Sequence, residues 1–447
     1  MAGFFRQMFG KSGGNGDGTV TGSFSMGVTG IPKTFNADEL VVEGKIDGTV
    51  KPGMVVNIAN FGDDDRRDYV ATIIDIEVKQ KQVAKASDCV VSLRVNNPGN
   101  TNIKAGTLFF TDDSTQDELR NSYVEALEEY YINTHKLNFT EGEIKIMSIT
   151  DLAEVIRLIT VKYPATDVTA KRVKDLLKKL LADRILNANE IYSVIDRSTG
   201  EPYMFSEIID KGGKPDCTDP TILVFTRAYL KLFEEKYSDA FYEIVRFSKE
   251  DDEDAIIDFL GTSFYLNGAD GVQVLWPETM IPAETVVPKP DLSEIPEAER
   301  PVSNPGLVKW LLLLGQLDSA DPETEKARKV YNDYMYKALL RAKFIIPVKA
   351  GSSAPSTDEN GNIILTQDVK DNLGTAVGKY IKESVRIYTD WKHLLMEYNS
   401  GWGGFVQSIP SLIHEYDCAI NVTRFMNTSL YVDDQLYDEI MDHIVNS

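Results

Sequence analysis

The chain has 447 residues, of which 43% are hydrophobic and 26% charged, with a formal net charge of −22 at pH 7. That length accommodates roughly two to four domains with substantial cores. The surplus of acid repels phosphate backbones and anionic lipid surfaces, which argues against nucleic-acid and membrane partners.

Residues 1–21 read as a flexible tail: a small aromatic cluster around Phe4 and Phe5, then the glycine-rich run Ser12 to Gly18. Phe4 and Phe5 are candidate partner-binding residues, a short docking motif on a tether; the plainer alternative is a frayed terminus packed on its own domain. Gly10-Lys11-Ser12 matches the end of a phosphate-binding loop, but that motif needs glycine where Phe5 stands, and no strand precedes it. Within the apolar stretch Met1 to Phe9 only Arg6 is basic, and the glycine-rich run follows at once, so no secretory signal is expected.

Residues 22–113 are patterned as β-structure. Glu39 to Val42, Val55 to Ile58, Tyr69 to Ile76 and Cys89 to Leu93 are apolar runs separated by Gly and Asp/Asn turns, which predicts a small closed barrel. Within it, Val42-Glu-Gly44-Lys-Ile-Asp-Gly48-Thr-Val50-Lys-Pro-Gly53, Thr72 to Ile76, and Ile103-Lys-Ala-Gly106-Thr-Leu108 resemble the second domain of translational GTPases. The resemblance implies a β-barrel with glycines at its turns. A GTPase domain would stand in front, where this chain has about twenty residues, so GTP binding does not carry over and a reused binding module is the expectation. The run Asp63 to Asp65 reads as a solvated turn rather than a metal site.

In the connecting segment, 114–148, Leu119, Tyr123, Leu127 and Tyr130-Tyr131 predict one helix from Gln116 to His135 that leaves the barrel and docks on the next domain. Thr140 and Ser148 sit where helix N-caps belong. A first α/β unit is expected at 149–277. It has two helices, a strand at Glu190 to Ile195, a strand at Thr221 to Phe225, a helix from Arg227 to Tyr237, and a hairpin of Phe264 to Gly268 with Val272 to Trp276. The segment 278–303 is proline-rich and reads as an extended linker or strap.

A second α/β unit, 304–447, repeats that order: helices at Leu307 to Leu317 and Glu325 to Arg341, then strands at Phe344 to Val348 and Val385 to Asp390. Asp358 to Asn362 reads as a hairpin turn, not a calcium loop. Asn304-Pro-Gly-Leu307, Ala338 to Phe344, Phe344-Ile-Ile-Pro-Val348, Tyr388-Thr389-Asp390 and Cys418-Ala-Ile-Asn421 resemble the SseB-type (enhanced serine sensitivity) family. The resemblance covers the second unit, with the first matching loosely. It implies a cytoplasmic bacterial α/β domain with no established catalytic residues.

The chemistry-bearing residues do not assemble in the sequence. Cys89, Cys217 and Cys418 are far apart and lack metal-ligand spacing, as expected of free thiols in a reducing cytoplasm. His393 and His414 are the candidates to meet Cys418 in a Cys/His nucleophile pair, but a thiol in an apolar strand is ordinarily packing. Trp310 and Trp391 sit at core spacing. Ser400-Gly-Trp402-Gly-Gly-Phe405 reads as a glycine loop presenting Trp402 and Phe405 as interface anchors, with burial of Trp402 under the loop as the alternative. No catalytic, cofactor-binding or metal residues are assigned. The expectation is a multidomain cytoplasmic chain, a β-barrel followed by two tandem SseB-like α/β units. It acts as a protein-binding scaffold or accessory factor, with a translation-associated role through the barrel, or an enzyme site assembled between modules, as alternatives.

Overall fold

The computed structural model describes residues 23–61, 69–96, 102–237, 240–296, 299–317, 322–352, 356–357, 363–364, 373–376, 384–413 and 416–446. Phe4, Phe5, the Asp63 to Asp65 run, the Asp358 to Asn362 turn and His414 lie outside them.

The alternating runs become six barrel strands: β1 (Phe24–Val28), β2 (Glu39–Val50), β3 (Val55–Asn60), β4 (Tyr69–Val78), β5 (Val90–Asn96) and β6 (Thr107–Phe110). Their order is β1-β6-β3-β4-β5-β2, and β2 pairs back onto β1, so the antiparallel sheet closes. Closure satisfies the strand edges that an open sheet would expose. Met26, Ile46, Val56, Ile58, Ile73 and Leu93 point inward on the two-residue period and are buried together. Gly48 has φ +82°, and a Cβ there would lie 1.9 Å from the Ser23 carbonyl oxygen, so this position within β2 requires glycine.

Helix α1 (Gln116–Leu127) starts at a Thr115/Glu118 capping box. The expected continuous helix to His135 is instead α-helical to Leu127 and π-helical over Glu128–Thr134. The wider turn lets the adjacent Tyr130 and Tyr131 both be buried. α1 also folds back on the barrel it was expected to leave. A Cβ at Gly27 would lie 2.2 Å from the Ser122 carbonyl oxygen, and Ser25 and Ser122 share a 2.8 Å hydroxyl hydrogen bond. Its other flank meets the next helix, where the Tyr123 hydroxyl donates to Asp151 at 2.7 Å.

Helices α2 (Ile149–Lys162) and α3 (Val168–Asn187) lead into β7 (Glu190–Asp196) and β8 (Thr221–Phe225). There follow α4 (Leu230–Lys236), β9 (Tyr242–Ser248), α5 (Ala255–Tyr265), β10 (Gly271–Val274) and β11 (Trp276–Pro282). The sheet order is β9-β7-β8-β10-β11. The expected hairpin strand at Phe264 to Gly268 is replaced by the end of α5, whose buried Ile256, Phe259, Leu260 and Phe264 follow helical spacing. The hairpin forms one step later, between β10 and β11, turning at Leu275 with φ +67°. β11 and a short helix at Ala283–Val286 occupy the start of the proline-rich segment.

The last third contains α6 (Pro305–Gly315), α7 (Pro322–Leu339), β12 (Phe344–Lys349), β13 (Ser384–Ile387), α8 (Trp391–Leu395), β14 (Trp402–Gln407), β15 (Asp417–Ile420), β16 (Leu430–Val432) and α9 (Asp434–Asn446). β14 pairs with β12, and an Ile345–Tyr388 bridge joins β12 to the end of β13. β13 runs parallel to β15, which pairs with β16. β13 also pairs with the two-residue strand Thr375–Ala376, as β7 pairs with Glu201–Pro202 and β8 with Met204–Phe205. With these short strands left aside, the order β14-β12-β13-β15-β16 is the same sequence-to-space permutation as β9-β7-β8-β10-β11, and two helices precede each set.

The chain divides into two compact units. The first comprises residues 1–191, 225–233 and 273–281; the second comprises 192–224, 234–272 and 282–447. Among the described residues, no helix is long and apolar enough to cross a membrane.

Candidate functional site: an open groove in the second unit

The second unit carries a groove of about 1060 Å³. One wall is α5, with Ile257, Gly261 and Tyr265; the other is the start of α6 and α8, with Gly306, Trp391 and Lys392. Residues of the proline-rich segment, from Val287 to Val302, run along it. Gly268 brings the walls together: it has φ +82°, and a Cβ there would lie 2.0 Å from the Pro305 carbonyl oxygen. The Tyr265 hydroxyl donates to the Val287 carbonyl and fastens the proline-rich segment to α5.

Two of the three lysines lining the groove, Lys309 and Lys392, are neutralised from within. Lys309 bonds Asp270 at 2.8 Å, and Lys392 bonds the buried Glu201 at 2.5 Å. Asn267 donates to the other Glu201 oxygen at 2.8 Å. With those two cations paired, the groove offers mainly apolar surface, and two large side chains stay open to solvent: Ile257 is 45% and Trp391 38% exposed. An aromatic ring held on a fixed element and left half in water is the usual form of an interface anchor.

What holds Trp391 is a buried polar cluster. Asp390 caps α8 by accepting from the His393 amide at 2.9 Å, and its carboxylate meets His393 Nδ1 at 2.7 Å and the Thr389 hydroxyl at 2.7 Å. Asn421 accepts from the Thr389 amide at 3.0 Å and closes the cluster. Burial pushes the Asp390 carboxyl up, but the His393 and Thr389 hydrogen bonds outweigh it and hold the group below the usual carboxylate range. Because the folded-state value is depressed, the stabilisation is present above the unfolded-state value and is lost as pH falls through the depressed one. Tryptophan fluorescence followed during acid titration should show a transition at lower pH for the wild type than for His393→Ala, which removes the partner ring. Coincident transitions would show that the cluster does not hold α8.

The structure places the sequence candidates as follows. Trp402 and Phe405 lie on strand β14, not in a loop, with Trp402 opposite Lys349 and Phe405 opposite Ile346. Two glycines argue against a strand locally, yet here they make space: a Cβ at Gly404 would lie 2.4 Å from Ile345 and 3.5 Å from the Trp391 ring. Both aromatics are half-buried, and Trp402 packs 4.6 Å from the Tyr398 ring. Trp310 is buried and stacked 4.6 Å from Tyr334, as its spacing predicts, whereas Trp391, read as packing, is the exposed one. The signal for Trp391 was present in Asp390, a helix cap placing Trp391 and Leu395 on one side of a short helix.

Cys418 is buried in β15, and burial raises its thiol to about 12, so no thiolate forms near neutral pH. His393 is committed to Asp390 and does not line the groove. Among the described residues, no three His, Cys, Asp or Glu side chains converge as a metal-binding group.

The fold thus defines a multidomain chain with an N-terminal six-strand antiparallel barrel followed by α/β regions. No family model matches the sequence, and no curated protein matches it. Among solved structures, GDP-bound aIF5B from Aeropyrum pernix aligns over 58% of this chain and 62% of that one, less than two thirds, at 12% identity and a TM-score of 0.18. A likeness of that depth bears on neither fold nor function.

Proposed function

We propose that this chain is a non-catalytic, cytoplasmic protein-binding accessory factor built on two tandem SseB-like α/β units, and that the groove of the second unit receives the partner. The observation that carries the reading is the open groove, with Ile257 and Trp391 exposed and two of its three lysines, Lys309 and Lys392, already paired. The shared strand order of the two sheets supports the tandem reading. The net charge of −22 disfavours nucleic acid. Trp402 and Phe405 act as supporting residues behind Trp391, and Phe4 and Phe5 as a second, tethered contact.

The test compares capture from native lysate, identified by mass spectrometry, for wild type and for the Ile257→Asp and Trp391→Ala variants. One protein held by wild type at physiological salt and released at least tenfold by both variants supports the reading. Equal capture by all three overturns the groove assignment. A translation-associated role through the barrel is the rival, supported by its closed six-strand order. Ribosome co-sedimentation that survives moderate salt and both groove variants would favour it.

A further inference from the structure

The two α/β sheets place a strand at the same outer position, and the two strands treat that exposure differently. β9 carries Glu243, which pairs with Arg197 at 3.2 Å, and Arg246, which pairs with Glu250 at 2.7 Å. Charged side chains of this kind keep an edge from pairing with another chain. β14, Trp402-Gly-Gly-Phe-Val-Gln407, has no charge and no proline. Among the described residues it pairs with β12 on one side and with no strand on the other. Within it Val406 is 41% exposed, and Leu395, one turn along α8 from Trp391, is 61% exposed.

We propose that the free edge of β14 pairs antiparallel with β14 of a second copy of this chain, about a two-fold axis at Gly404. Two-fold pairing keeps each side chain on its own face, so residues of equal parity must be opposed. Centring on Gly404 sets Trp402 opposite Val406 of the second copy and Phe405 opposite Gly403 of the second copy. Aromatic and β-branched residues opposed across strands are favourable pairs, and an aromatic ring covers the gap a glycine leaves. Charge selects this edge as well. Two chains of −22 each repel, and a strand without charges lets them meet with no like charges opposed. Beyond the strand, salt screens over about 8 Å at physiological ionic strength. A stable interface buries roughly 1,200 Å² or more, which one six-residue strand pair does not supply; Trp391 and Leu395, on the face of Gly404 and Val406, extend the surface.

The dimer surface shares Trp391 with the groove, whereas Ile257 belongs to the groove alone, so Ile257→Asp separates the two readings and failure of the dimer leaves partner capture standing. The experiment is light scattering on the full chain for wild type, Val406→Lys, Leu395→Lys and, as a control in the groove, Ile257→Asp, with circular dichroism on each. Wild type and Ile257→Asp are expected at twice the mass of one chain. Val406→Lys and Leu395→Lys are expected at the single-chain mass with unchanged dichroism. A wild type of single mass overturns the proposal, and so does a dimer that survives both lysine variants.

Discussion

Asp151→Ala is expected to destabilise the first unit by about 3–5 kcal/mol, the range for removing one partner of a buried ion pair. The carboxylate has three tasks. It bonds the buried Lys104 ammonium at 2.7 Å, accepts from the Tyr123 hydroxyl at 2.7 Å, and accepts from the Ser148 amide at 2.9 Å to complete the capping box of α2. Alanine takes the Asp151 carboxylate away from the buried Lys104 ammonium, leaves the tyrosine hydroxyl without its acceptor and opens the helix start. Denaturant unfolding of the variant should show the loss as a lower midpoint. Asp151→Asn keeps the shape and the acceptor but not the charge. If it unfolds with the wild type, the ion pair is not what matters, and the account of this junction fails.

Gly268→Ala is expected to be the most damaging single methyl in the second unit. The left-handed conformation at φ +82° costs a non-glycine residue about 1–2 kcal/mol. The added Cβ also falls 2.0 Å from the Pro305 carbonyl oxygen, a backbone atom that cannot rotate away. Either α6 shifts, widening the groove, or the loop after α5 is displaced. A thermal midpoint several degrees lower is expected, with weakened partner capture at temperatures where the variant remains folded. Wild-type stability in Gly268→Ala would mean that the groove wall is not set by this contact.

Much of the architecture was legible from the residues alone. Period-two burial in β2, β4 and β5 announced the barrel, and helical spacing in α2, α3, α6 and α7 announced the helices that precede each sheet. The Thr115, Thr140 and Ser148 caps were legible because a capping side chain bonds amides only three residues away. Errors clustered where distant partners decide. Phe264 to Gly268 has strand-like composition, but the buried face of α5 spaces it as helix. Trp402 to Gln407 looks like a glycine loop until β12 supplies its hydrogen bonds. Tyr130-Tyr131 breaks α-helical phase because both rings find a buried environment.

The candidate site was less legible, and for the same reason. The sequence singled out Trp402 and Phe405 by their glycines and assigned Trp391 to the core by its spacing. Which tryptophan faces water depends on Gly404 and Ile345, neither of which is local to Trp391. By itself, then, the sequence determined the barrel strands, the capped helix starts and the charge that disfavours phosphate-bearing partners, because these are set by neighbours within a few residues. The tertiary structure alone decided barrel closure, the permutation common to the two sheets and the position of the groove. Each of these depends on side chains and backbone groups brought together from dozens to hundreds of residues apart.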